Sequence, residues 1–362
     1  MSTQSSEHPV ASWRDEIRES TSARTVALVL ATLLLACGFI YSYIGAFHDP
    51  SPHAITMQVA AKQSQASSQE RTQLVDQTVG RLESLEGHPI DASAAASPAD
   101  VRRDVTNGSV SSGLILDPDG KKDVLYVASG GGTSVTSAVE QVVDGASQSQ
   151  KRSYTVQDVV PLAEGDAKGL TGFYLAVGWV VGGYLVASLL AVAEGSRPVT
   201  RRHALLRLGL FVPYSIALGF GGAAIAGPLL DAWEAPLLPL GLVGTATVLC
   251  VAAASAGLQA MLGTFGIGAA VLLFVVLGNP SAGGPYQADL LPTFWSNIGP
   301  FIPTGAATVL IRDIVYFDSD GTGWQLAVLA AYLVVGAVMT AVMARSYEGH
   351  HAAPEQDENV QG

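Results

Sequence analysis

The chain has 362 residues, of which 49% are hydrophobic and 14% charged, with 31 acidic against 19 basic side chains and a net charge of -12. So few charges and a mean hydropathy of +0.34 indicate a membrane protein, and the lack of a basic stripe to neutralise phosphates argues against a nucleic-acid partner. Cys37 and Cys250 both lie in apolar runs, so neither can staple a polar domain.

In chain order, residues 1–24 form a short polar segment and Thr25 to Phe47 the first apolar run. That run exceeds the roughly 7–15 residues of a signal-peptide core, and no small-residue cleavage site follows it, so an uncleaved membrane helix over 25–47 is expected. From His48 the texture changes to Ser, Gln, Asp and Lys, and residues 48–169 are long enough for a small α+β domain. Within it "AITMQVAA" reads as a strand. "SSQERTQLVDQTVGRLESLEG" reads as a helix with Leu74, Val75, Val79, Leu82 and Leu85 near one face, ending at Gly87. "PADVRRDVTNG" gives a short helix, "SVSSGLILDPDGKKDVLYVAS" two strands about an Asp-Pro-Asp-Gly turn, "SVTSAVEQVVDGA" a helix and "SYTVQDVVPL" a returning strand. "SGGGTSV", Ser129 to Val135, has the outline of a phosphate cradle without its Lys-Ser/Thr, so a turn and helix cap is expected. Asn107-Gly108-Ser109 fits a glycosylation site, which has meaning only in a eukaryotic secretory host, and the Ala/Gly/Val/Asp-rich composition favours a bacterium.

Five further runs follow, at Leu170 to Ala193, Ala204 to Leu230, Leu237 to Gln259, Gly263 to Gly278 and Trp324 to Ala344, making six expected spans. The fourth and fifth form a tight hairpin through Ala260 to Gly263, the fifth being the shortest. Arg197, Arg201 and Arg202 mark the loop from Glu194 to His203 as cytoplasmic, whereas Asp231 to Pro236 holds two acids and no base. Arg345 closes the last span, so both termini are expected inside, residues 345–362 as a cytoplasmic tail, and 48–169 outside.

No run carries an Asp, Glu or Lys, and Arg207 is placed to snorkel to the inner surface. That composition disfavours an ion-coupled transporter or an intramembrane protease. The seven histidines show no metal spacing, and His350-His351 reads as a solvated pair. Gly178, Gly182 and Gly183 in the second run, and Gly219, Ala223 and Gly227 in the third, are candidate helix-packing positions. "GFGGAA" lies in an apolar run with no strand before it, so packing is preferred to nucleotide binding. Trp324, Tyr332 and Tyr347 suit the interfacial belt, and "DSDGTG" lacks the closing Glu of a calcium loop, leaving a polar turn with Thr322 as helix cap.

The interval Pro280 to Pro303 holds five prolines. They forbid a continuous membrane helix, while Tyr286, Phe294 and Trp295 suit an interface. "NPSAGGPYQADLLPTFWSNIGPFIPTGAA" is therefore expected to dip into or lie along the outer leaflet, with "ATVLIRDIVYF" a short amphipathic helix after it. A rigid lid over a path between helices and a plain surface anchor are the two readings, with Pro292, Trp295, Pro300, Pro303 and Arg312 as candidate lid residues.

One span, an α+β ectodomain and five spans together resemble type 2 ABC-transporter permeases of the phage-infection-protein-like branch. "DVTNGSVSSGLILDPDG" and the Pro-rich segment through Arg312 to Phe317 carry the resemblance, which covers Ala23 to Arg345. It implies that "ASWRDEIRES" is an amphipathic elbow with Trp13 and Ile17 on its apolar side, and that "EGSRPVTRRHALLR" is the loop coupling to a separate ATPase. It also implies a homodimer or a related partner, with ATP acting through another subunit. The chain has no G-x-x-x-x-G-K-S/T, and no cofactor, metal or catalytic set of its own is expected. The function so implied is export of a lipophilic or envelope-related substrate. The alternative is a non-transporting receptor or envelope scaffold that acts through its ectodomain.

Overall fold

The computed structural model describes Trp13, residues 22–317 and 322–351, the side chains of 24 and 345–351 excepted. The amphipathic elbow apart from Trp13, Asp318 to Gly321, the side chains of Arg345, Tyr347 and His350-His351, and the end of the tail lie outside the described residues.

Helix α1 spans Ala23–Phe47, with Ser22 accepting a bond from the Thr25 amide at its start. The polar unit follows as β1 (Ile55–Ala61), α2 (Ser68–Glu83), β2 (Ile90–Ala94), α3 (Pro98–Thr106), β3 (Ser112–Leu116), β4 (Lys122–Val127), α4 (Thr133–Ser149) and β5 (Ser153–Asp158). The sheet order is β2-β1-β3-β4-β5. β1 is parallel to both β2 and β3, with Met57 opposite Ala92 and Ser112, β3 and β4 form the antiparallel hairpin, and β5 joins β4 in parallel. Strand alternation sorts the core. Ile55, Met57, Val59, Leu114 and Leu125 pack under α2 and α4, while Ala60 and Ile115 meet Val101 and Val105 of α3 on the other face. β2 has no counterpart among the strands expected from sequence, because "IDASA" has little β-branched character and buries only Ile90 and Ala92.

Beyond the sheet the chain is helical: α5 (Thr171–Glu194), α6 (Arg201–Ala224) with a π-turn over Ile225–Leu229, α7 (Leu237–Leu262), α8 (Phe265–Val271) continuing as a π-turn over Leu272–Leu277, α9 (Thr293–Ile298), α10 (Pro303–Tyr316) and α11 (Gly323–His351). Helices α1, α5, α6, α7 and α11 are long and apolar enough to cross a membrane. Over the expected span Gly263–Gly278 the structure has a shorter apolar helix, Phe265–Leu277, roughly 20 Å at 1.5 Å per residue against about 30 Å of hydrocarbon. α7 lies at the centre, buried on most sides, and Trp179, Val248, Val251, Phe274 and Leu310 belong to the core around it. Close approach uses Gly183 of α5 against Val251 and the Val248 carbonyl, Gly182 against Leu218, and Gly219 of α6 against Gly244 and Thr245. Gly227 has only an ordinary contact with the Trp233 carbonyl, and no atom of the described chain lies within 4 Å of a Cβ built at Gly178.

Candidate functional site

The Pro-rich stretch folds into a bent pair. α9 and α10 meet at 78° about Ile302, where the chain is extended (φ -109, ψ 138) and Pro303 takes the first helical position. A residue before proline is pushed out of the helical region, and proline at the first position lacks only an N–H that would be unbonded anyway, so this sequence builds the bend. Packing at the bend is tight enough that a side chain on Gly305 would strike the Gly299 backbone. Phe274 accepts from Thr304 Oγ1 at 3.4 Å.

Both ends of the pair lie against the sheet unit. Just before α9, the carbonyls of Asp289 and Leu290 accept from His53 at 2.7 Å and Ser51 at 3.2 Å. After α10, Tyr316 and Phe317 pack on the α3 face of the sheet, with the Phe317 ring where side chains on Gly108 or Gly131 would stand. The pair therefore starts and ends beside the sheet unit, the path that a re-entrant hairpin takes. Trp295 is 6% exposed beside Ala46 and Leu291, Pro292 precedes α9 and accepts from the Trp295 amide, and the Pro300 carbonyl accepts from Trp324 Nε1 at 3.0 Å. α10 is less a surface amphipathic helix than expected: Pro303 to Thr308, Leu310 and Ile311 are all buried.

A polar layer separates the hairpin from the sheet. Asp166, 3% exposed, accepts from the Thr171 amide at 3.0 Å and hydroxyl at 2.7 Å, and from Tyr316 at 2.8 Å. Arg312 lies within electrostatic reach of Asp166 and Asp313 and donates to the Gly283 carbonyl at 3.0 Å. Beside it is a cavity of ≈ 150 Å³ lined by Gln287, Asp289, Arg312, Phe317 and the Gly131-Gly132 turn before α4, among others. Desolvation raises the Asp289 carboxyl above its ordinary range. Among these groups sequence reasoning singled out only Arg312. Gln287, Asp289 and Asp166 are ordinary polar residues in loops until the fold brings segments more than a hundred residues apart together.

At the opposite end, Arg201 and Arg202 open α6 and are exposed, and Thr200 caps the helix by accepting from His203. Arg197 is exposed and donates to the Met261 carbonyl at the end of α7, 3.2 Å. Arg207 does not snorkel: it is 3% exposed and donates to the Gly195 carbonyl at 3.0 Å, tying α6 to the end of α5. Two residues before Met261 in α7, Gln259 donates to Ser188 at 3.2 Å, a buried polar pair with no signature in sequence. No group of three or more His, Cys, Asp or Glu among the described residues could hold a metal ion. Searches of family models, curated proteins and solved structures found no match to this chain.

Proposed function

We propose that this chain is the membrane permease subunit of an ABC-type exporter for a lipophilic or envelope-related substrate, working as a homodimer or with a related permease and powered by a separate ATPase. In this reading it sits in the plasma membrane of a bacterium, both termini are cytoplasmic, and the sheet unit (48–169) stands outside. The observation that supports it most is the re-entrant hairpin held under the sheet unit at one end of the helices, with an exposed basic loop at the other. Such a hairpin suits a lid over a path between helices, and Arg197, Arg201 and Arg202 suit a docking edge for an acidic or nucleotide-binding partner. The short fifth helix then completes a sixth crossing, returning the chain from the α7–α8 turn to the hairpin, with α1 beside it. ATP is used by the partner, and the uncharged helices agree with a cycle that needs no ion coupling.

A photo-crosslinker at position 201 in native membranes, followed by mass spectrometry, tests this. Capture of an ATPase subunit is the expected outcome. Efficient crosslinking without any nucleotide-binding protein overturns the exporter reading and favours a receptor or envelope scaffold acting through the sheet unit.

A further inference from the structure

The cavity between the sheet unit and the hairpin has features that neither packing nor transport requires. Its volume, ≈ 150 Å³, far exceeds the about 10–15 Å³ that one water needs. Gln287 is 9% exposed, its Oε1 has no hydrogen-bond partner, and its amide nitrogen reaches only the Gly284 carbonyl at 3.4 Å. A buried acceptor left unpaired is unfavourable, so a fold that keeps one beside a roomy cavity invites a donor into it. Asp289 adds a second acceptor, since its carboxylate has no partner among the described residues, and at the same wall Arg312 has N–H groups left over beyond its bond to Gly283. The acceptors and the guanidinium thus line one cavity, and no ion pair joins Asp289 to Arg312 among the described residues.

We infer that this cavity binds a small zwitterion, its ammonium end held by Gln287 Oε1 and the Asp289 carboxylate and its anionic end by Arg312. An ammonium group is all donor and a guanidinium is all donor, so the two ends cannot exchange places. The α4 N-terminus, whose leading Gly132 offers no capping side chain, stands against the Gln287 side chain. Gly132 is also the reason the cavity keeps its form: its φ of 147° suits glycine, and a Cβ there would collide with the Gln287 amide. The same chemistry occurs in a free amino acid or phosphoethanolamine and in an aminophospholipid headgroup. The inference does not depend on transport, and a scaffold would bind the same compound.

The test uses the full chain in nanodiscs of phosphatidylcholine and phosphatidylglycerol, which contain no primary amine. β-Alanine and phosphoethanolamine are titrated by calorimetry and thermal unfolding, with ethylammonium and acetate as one-ended controls. A second set of discs carries phosphatidylethanolamine. Binding of a soluble zwitterion with a melting rise of about 3–5 °C at a hundredfold excess over Kd supports a free-solute site, and a rise only in the phosphatidylethanolamine discs supports a headgroup site. Asp289→Asn is expected to weaken either at least tenfold while its ligand-free melting temperature stays near the parent's. Gln287→Glu, which keeps the side-chain shape, is expected to tighten the ammonium end severalfold. No response beyond that to the one-ended controls, or unchanged affinity in both variants, overturns the assignment.

Discussion

At the residue scale, the start of α2 shows how little sequence is needed to begin a helix. Ser67 accepts from the Glu70 amide, and the Glu70 carboxylate accepts from the Ser67 amide at 2.8 Å, a reciprocal cap. Ser67→Ala is expected to cost the sheet unit about 1 kcal/mol, read as a lowered urea midpoint with an unchanged slope. Bonds from the Ser67 amide and hydroxyl hold the Glu70 carboxyl below its ordinary value. A depressed carboxyl stabilises the fold above its unfolded pKa, and that contribution is lost as pH falls through the folded one. Acid unfolding followed by circular dichroism should therefore show Glu70→Gln closer to the parent below about pH 4 than at neutrality. The helix that Ser67 opens was visible in the sequence. Gln287 was not, because nothing in its neighbours announces that Gly132 lies against it.

At the element scale, the strands about Asp-Pro-Asp-Gly and the helices α2, α3 and α4 were legible, because apolar periodicity and turn residues agree there. β2 was not legible, since its strand state is imposed by pairing with β1 and not by its own residues. Glycines were legible as a class but not by face. In α5 the contacts within the chain fall on Gly182 and Gly183, about one turn further along than Gly178, which a spacing rule cannot tell without knowing where the neighbour lies. Gly219→Ala is expected to destabilise the helices by about 1–3 kcal/mol, because Thr245 Oγ1 stands 2.7 Å from the added carbon and the Gly244 backbone blocks retreat. Gly178→Ala should stay within about 0.5 kcal/mol of the parent. Thermal unfolding of the two purified variants in one detergent makes the comparison, and an equal loss in both would remove the distinction between the two faces.

At the scale of the whole molecule, the proposed orientation is testable without a substrate. With Cys37 replaced by Ala, Lys121→Cys at the tip of the β3–β4 turn should react with an impermeant maleimide on intact cells. Arg197→Cys should react only after lysis, and the reverse pattern would invert the topology. Arg201→Glu with Arg202→Glu is expected to abolish activity if an ATPase docks there. Acids at a helix N-terminus favour the helix, so α6 itself should survive the change. Full activity at normal expression would count against docking. The run of apolar segments was readable from sequence because hydrocarbon demands length and composition. The re-entrant path was only half readable: prolines show where a helix must break, whereas the side on which the chain comes out depends on the sheet unit that receives it.

Among the described residues, the side-chain hydrogen bonds between helix α1 and the rest of the chain fall near its C-terminal end, from Ser42 to the Val276 carbonyl and from Asn279 to the Tyr43 hydroxyl at 3.0 Å, and Ala46 stands beside Trp295. Lower down, an apolar gap of ≈ 560 Å³ lies between Leu28–Leu35 and the start of α8. From Ala23 to Ser42 is about 28 Å of helix, so a tilt of only about 10° swings the lower end by about 5 Å while the fulcrum barely moves. The short linker after Phe47 leads into β1, an inner strand of the sheet between β2 and β3. In the proposed orientation the helix would be a lever, its long arm among lipid tails and its short arm leading to the sheet unit.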